Sequence, residues 1–513
     1  MKKVLLCMSR RIFFAVLLGA LLIEGSGLLL VEPVSAAPNL NYKWSYSYGQ
    51  SKTFIQPLAA NLVGDSDLEV VVIGGTDDGA WDGCVTVLDG DDGHLIWRVN
   101  PQANGWGFGI GMHTCMDIAD LDKDGDQEIV VAAEGGTLVL NGADGSRYWS
   151  NPAAPGRENY LAIADVDGDG FKEVFVNRGD APYSTVGYDW ITMLSYDGRI
   201  LRQGWSWHPC WGGLTIGDTN HDGKLELYQG DRGNNYANNE DTFKRGGQGL
   251  RALDAATLTP LWTVQNVLMS SHCPMLADVD KDGVEDVVVA MQSSGIAVFS
   301  SLDGSVLTTG GKYRASSGVS GVSAHSQPTV ADLDSDGNLE FVVAYNSQPV
   351  VWDLFNWAQD TRLVNETGGA IVVFEPPKAG DVTGDGKLDI IAVTVAGDVY
   401  VYSSPSANTY SLVEHVKTGG FGGGSAFTLV QDVDGDDLNE LVVTGSWGVT
   451  VCYDTPAAAP SPRARTGNTF YSEARRGAAE YVPAPVPEQP ALSAERPVHT
   501  SPARKDSTDS ALE

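Results

Sequence analysis

The sequence predicts an all-β chain, an eight-bladed β-propeller of four-stranded blades whose last blade is completed by an N-terminal strand. Three observations carry that prediction. One acidic loop pattern recurs in eight copies, each copy runs into a β-branched stretch, and the copies stand about fifty residues apart. A hairpin pattern follows most copies, so each period holds a strand, the loop, a second strand and two more.

The stretch "ADLDKDGDQEIVVA", Ala119 to Ala132, shows the loop most fully. Asp120, Asp122 and Asp124 alternate, Gly125 permits a sharp turn, and Glu128 closes the loop at its ninth position. Carboxylates so close together repel one another unless a cation holds them. The order is that of a calcium loop: hard oxygen donors at positions one, three and five, a carbonyl near seven, then another carboxylate. An EF-hand would continue into a helix, whereas "EIVVAA" reads as a buried strand. The loop therefore joins two strands.

The other copies repeat these positions in order. They are Asp165, Asp167, Asp169 and Glu173; Asp218, Asn220, Asp222 and Glu226; and Asp278, Asp280, Asp282 and Asp286. Next come Asp332, Asp334, Asp336 and Glu340; Asp381, Thr383, Asp385 and Asp389; and Asp432, Asp434, Asp436 and Glu440. A worn copy precedes them all, with Asn61, Asp65 and Glu69 but Val63 at a ligand position. That copy leaves a seven-bladed ring as the alternative count. The second half of each period, as in "CVTVLDGDDGHLIWRVN" and "TLVLNGADGSRYWSN", reads as strand, Asp-Gly-type turn, strand. Repeating such units around an axis leaves only short, protected edges. The eighth unit lacks a fourth strand of its own. "NYKWSYSYG", Asn41 to Gly49, supplies one ahead of the first unit, with Trp44 matching Trp97.

With "FGIG" at Phe108–Gly111 and "FGGG" at 421–424 ahead of two of them, the acidic loops resemble FG-GAP/VCBS repeats. That resemblance covers about Asn41 to Asp454 and implies calcium-binding propeller blades, as in integrin α-chain heads and microbial surface proteins. It implies no particular partner. The hairpins also resemble quinoprotein-type blades, a likeness of blade architecture.

The net charge of −33 argues against nucleic acid and anionic membrane surfaces as partners. Residues 1–36 read as a signal peptide with a basic head, an apolar stretch and a small-residue cleavage site after Ala36. "SRRIFF" within it resembles a twin-arginine signal. The expectation is a secreted or cell-surface protein with no membrane insertion after cleavage, in a compartment where calcium is plentiful. Residues 37–455 form the propeller, and 456–513, rich in Pro, Ala and Ser, read as a flexible tail. Cys7 leaves with the signal, and the remaining cysteines are odd in number. Cys210 and Cys273 are the preferred disulfide pair, with small buried strand residues as the alternative.

The segments that enter the first strand of each blade lie on the face opposite the acidic loops. Four of the eight histidines fall there: His113, His208, His272 and His325. Arg157 and Tyr160 enter the third blade, Glu375 the seventh, and Trp205, Trp207 and Trp211 crowd the fourth. Three readings fit. The side chains plug the channel, or they bind an extracellular glycan or protein ligand, with aromatic rings stacking on sugars. In the third they act on a uronate polysaccharide, as propeller rhamnogalacturonan lyases do, which these segments also resemble. A lyase neutralises the uronate carboxylate with a cation and abstracts the adjacent proton; His113, His272, Arg157 and Tyr160 are the candidates. The expectation is a recognition or adhesion module, with the lyase as the alternative. No phosphate loop, nucleophile elbow or zinc spacing appears.

Overall fold

In the second blade the first strand, Cys115–Ala119, leads into the acidic loop, and Glu128–Ala133 leaves it. Gly136–Asn141 and Arg147–Asn151 form the outer hairpin, giving a four-stranded antiparallel meander. The computed structural model describes residues 39–47, 56–74, 82–111, 114–133, 135–156, 161–177, 189–206, 213–230, 249–265, 267, 274–291, 295–307, 329–345, 347–355, 360–373, 375–417, 426–445 and 448–459. These residues make eight sheets, seven with four strands and one with three. In the three-stranded fifth blade the fourth position is a single bridge, Phe299 to Val306. No helix occurs among the described residues.

Strand periodicity explains why the blades stack into a ring. The second strand of each blade is a continuous apolar run because both of its faces are covered by neighbouring blades. Along Glu128–Ala133 every residue is buried. Ile129 and Val131 pack towards the first blade with Val71 and Val87, while Val130 and Ala132 pack towards the third with Val174 and Val176. Alternation with a period of two sends successive side chains to opposite neighbours. The described core falls into eight such clusters, one at each junction between consecutive blades. The eighth cluster joins Leu429, Val442 and Cys452 of the last blade to Ala59, Val70 and Leu88 of the first. Eight blades, and not seven, close the ring.

The closing strand is the expected one. Asn41–Ser47 pairs antiparallel with Val449–Ala458, from Asn41 opposite Asp454 to Ser47 opposite Val449, with one register shift between Tyr42 and Trp44. The latter strand extends to Ala458, past the boundary at 455 that the sequence suggests, and Ala457 is fully buried. Trp44 and Trp97 do equivalent work. The indole N–H of Trp97 donates to the carbonyl of Gly142 at 2.8 Å, in the hairpin turn of the next blade. Its ring lies against Gly145, where an added Cβ would fall 2.7 Å from Cε3. Trp44 repeats this across the closure, donating to the Gly90 carbonyl at 2.8 Å and lying on Gly93. Trp149 and Trp262 donate to Tyr196 and Ser301 in the same way. A buried indole needs a partner for its one polar atom, and the turn carbonyl supplies it. The turn glycine permits the approach, and Gly145 sits at φ 68°.

Residues 1–36 and most of 456–513 lie outside the described residues, so the signal peptide and the tail remain expectations. The proposed partners Cys210 and Cys273 lie outside them too. Cys84, Cys115 and Cys452 are buried, and the Cys115 thiol donates to the Ala132 carbonyl at 3.7 Å.

Candidate metal centres

Each acidic loop is shaped by its own backbone. In the second blade the residue at position four, Lys123, and the glycine at position six, Gly125, both take positive φ. The same two positions are left-handed in the third to seventh loops, through Gly168 and Gly170, His221 and Gly223, Lys281 and Gly283, Ser335 and Gly337, and Gly384 and Gly386. These turns curl the chain around its first carboxylate. The N–H at position six donates to that side chain in each case, at 3.2 Å from Gly125 to Asp120 and 2.7 Å from Gly170 to Asp165. The N–H at position seven donates to the carboxylate at five, as Asp126 does to Asp124 at 2.9 Å.

The ninth position has a second job that the spacing alone does not show. One carboxylate oxygen accepts the backbone N–H of position two in all eight loops, for instance Leu121 to Glu128 at 2.9 Å and Val433 to Glu440 at 2.9 Å. The group is buried while it does so. Burial pushes Glu128 up to about 7; the Leu121 N–H holds it partly down, and the Asp122, Asp124 and Asp120 charges push it further up. Glu69, Glu173 and Asp286 are likewise pushed to about 7, Glu440 to about 8 and Glu340 to about 9, with burial the largest cause in each.

Carboxylates raised in this way are under-compensated: Lys172 acts on Asp120 and Glu128 and Lys43 on Glu440, yet burial and the neighbouring acids outweigh them. Oxygens of Asp120, Asp332 and Glu340 are buried without a hydrogen-bond partner. Ligand oxygens of Asp120, Asp122 and Glu128, of Asp165, Asp167 and Glu173, of Asp278, Asp280 and Asp282, and of Asp332, Asp334 and Asp336 lie within 4.8 Å of one another. A hard divalent cation bound by oxygens fits such a donor set. The first loop fits it less well. Val63 stands exposed at position three, and Asn61 puts a neutral amide where every other loop begins with a carboxylate.

Partners of the carboxylate at position three come from far along the chain, and no local pattern announces them. The Tyr148 hydroxyl donates to Asp122 at 2.7 Å, the Asn408 N–H donates to Asp334, and the Lys43 ammonium pairs with Asp434. Of the residues expected to face a partner, His113, His208, His272, His325, Arg157, Tyr160, Trp207 and Trp211 lie outside the described residues. Trp205 is placed by its backbone alone, opposite Trp190 in the outer hairpin of the third blade. Glu375 is buried.

Residues 120–176, 278–343 and 381–443 match the FG-GAP-like repeat. No curated protein matches the chain. Among solved structures, Sqt1 of Saccharomyces cerevisiae is similar at 14% identity, over 82% of this chain and 100% of that one, with a TM-score of 0.53. The V. cholerae biofilm matrix protein Bap1 is 16% identical over 85% of this chain and 94% of its own, with a TM-score of 0.52. The quinohemoprotein alcohol dehydrogenase ADHIIG of Pseudomonas putida HK5 is 12% identical, over 84% and 78%, at 0.51. At these identities the likeness is one of fold. The chain is an eight-bladed β-propeller that carries FG-GAP-like repeats in three regions of its ring.

Proposed function

We propose that the protein is an exported, calcium-stabilised propeller that acts in the secreted or cell-surface compartment as a recognition module for a glycan or protein ligand. The observation that carries this reading is the buried carboxylate at the ninth loop position, clamped on one oxygen and left beside two or three further acids. Calcium, when bound, supplies the remaining counter-charge that these oxygens need. Asp120, Asp122, Asp124 and Glu128 would hold it in the second blade, and the matching residues in the third to seventh loops. Extracellular calcium is concentrated enough to fill even weak oxygen sites. The leader-like residues 1–36 favour that compartment. Rigid blades then present their longer loops for binding, which is where recognition residues gather on such scaffolds.

The test has two arms. Excess chelator should lower the melting temperature and calcium should restore it, because a ligand of the folded state stabilises it by mass action. An unchanged melt, in protein that carries no metal on isolation, refutes the calcium reading. The calcium-loaded protein is then tested against a panel of polysaccharides that includes uronate polymers. Retention on a glycan supports recognition, while an unsaturated product absorbing in the ultraviolet replaces recognition with lyase chemistry.

A further inference from the structure

We infer that the eighth acidic loop is neutralised by Lys43 instead of calcium, so that the ring takes one calcium fewer than its complete loops suggest. The inference rests on the calcium reading of the other loops. It starts from an irregularity in the closing strand. The register of Asn41–Ser47 against Val449–Ala458 shifts between Tyr42 and Trp44, with Tyr42 opposite Tyr453 and Trp44 opposite Cys452. Lys43 is the extra residue of that bulge and has no partner in the ladder. A bulge re-aims the side chain it carries. Here it delivers the ammonium to Asp434, at position three of the eighth loop, and to Asp454 at 3.0 Å.

The equivalent carboxylates elsewhere show why this matters. Asp122 and Asp334 receive neutral donors, a Tyr148 hydroxyl and the Asn408 N–H. A neutral donor orients the carboxylate and leaves its charge for a metal. An ammonium cancels that charge and repels a second cation brought to the same oxygens. The other oxygen of Asp434 accepts the Asp436 N–H at 3.0 Å, as Asp122 and Asp334 accept theirs from Asp124 and Asp336, so the ammonium alone sets Asp434 apart. The pair is also shielded, with side chains 15% and 8% exposed, so solvent screens it little. The loop departs from its fellows at position six as well, where Asp437 replaces glycine and takes φ 70°.

Counting bound calcium per chain by elemental analysis, after dialysis against a fixed free-calcium buffer, decides the matter. Asp434→Asn should leave the count of the folded wild-type protein unchanged, whereas Asp122→Asn should lower it by one. Lys43→Met, if it folds, should raise the count by one. Loss of one ion in Asp434→Asn, or an unchanged count in folded Lys43→Met, overturns the proposal while leaving the calcium reading intact. A wild-type protein that retains no calcium in this buffer overturns both.

Discussion

Replacing Trp44 by alanine separates the closing of the ring from the stability of any one blade. Trp44 and Trp97 are 5% and 9% exposed, and each donates its indole N–H to a turn carbonyl at 2.8 Å. Burying an aromatic ring of about 150–250 Å² at about 25 cal/mol per Å² contributes roughly 4–6 kcal/mol. Tryptophan-to-alanine changes in cores cost about 3–5 kcal/mol. The two substitutions should therefore lower global stability alike. They should differ in where the molecule opens. The strand of Trp97, Leu95–Val99, is tied by a short hairpin to Cys84–Leu88. The strand of Trp44 has no hairpin to its blade and is held there by the ladder to Val449–Ala458 and the Lys43 pairs. Trp44→Ala should thus free Asn41–Ser47 selectively. At about 1.4 kcal/mol per tenfold, its amides should exchange hydrogen roughly a hundred to several thousand times faster. Amides of that strand that exchange no faster in Trp44→Ala than in Trp97→Ala would show that the seam is held by something other than the indole.

Two further outcomes follow from the loops and turns. Calcium binding near neutral pH should release protons and strengthen as pH rises through 7, because Glu128 and its equivalents are raised from 4.5 to about 7 and bind the ion as carboxylates. For the same groups the metal-free ring is most stable below their unfolded values and loses that stability as pH climbs through 7. Calorimetric heats that do not vary with the ionisation enthalpy of the buffer would contradict this. Gly145→Ala should cost clearly more than Gly105→Ala by denaturant titration. Both sit at positive φ, for about 1–2 kcal/mol, but only the former drives a methyl group into the Trp97 ring. Equal losses would mean that the ring yields freely.

The repeat, the blade count and the closing strand were legible because each rests on a local pattern. Alternation along "EIVVAA" and its fellows fixes which faces are covered, and the match of Trp44 to Trp97 reflects a shared docking geometry. The loop ligands were legible for the same reason: their spacing is the loop. Hidden from sequence were the contacts that depend on register between distant strands. Nothing near Asp122 points to Tyr148, and nothing near Asp434 points to Lys43, which stands at the other end of the chain and turns toward the loop only through a bulge. The second role of the ninth acid was hidden too, since a metal ligand and a backbone clamp make the same demand for a buried carboxylate.

The metal loops and the tryptophan seams belong to one connected system. Trp97 holds the Gly142 carbonyl, and the N–H of Gly142 donates at 2.9 Å to the Gln127 carbonyl, in the acidic loop of the same blade. Filling that loop should therefore stiffen the seam with the blade before it. Loops also join directly, Lys172 N–H to the Leu121 carbonyl and Glu285 N–H to that of Thr219, at 2.9 and 3.0 Å. At the closing seam Leu68 N–H meets the Val433 carbonyl at 2.9 Å, and there the two loops are the first, with Val63 in a ligand position, and the eighth, with Lys43 against Asp434. The seam between the last and first blades, across which the chain passes from Asn41–Ser47 to Leu58–Ala60, is flanked by the two loops least suited to calcium. Its integrity then rests on Trp44, Lys43 and the strand ladder, and these persist when calcium is withdrawn. A chelated ring should loosen first at the seams between calcium-filled loops, and the seam between the last and first blades, whose contacts need no calcium, should be the last to open.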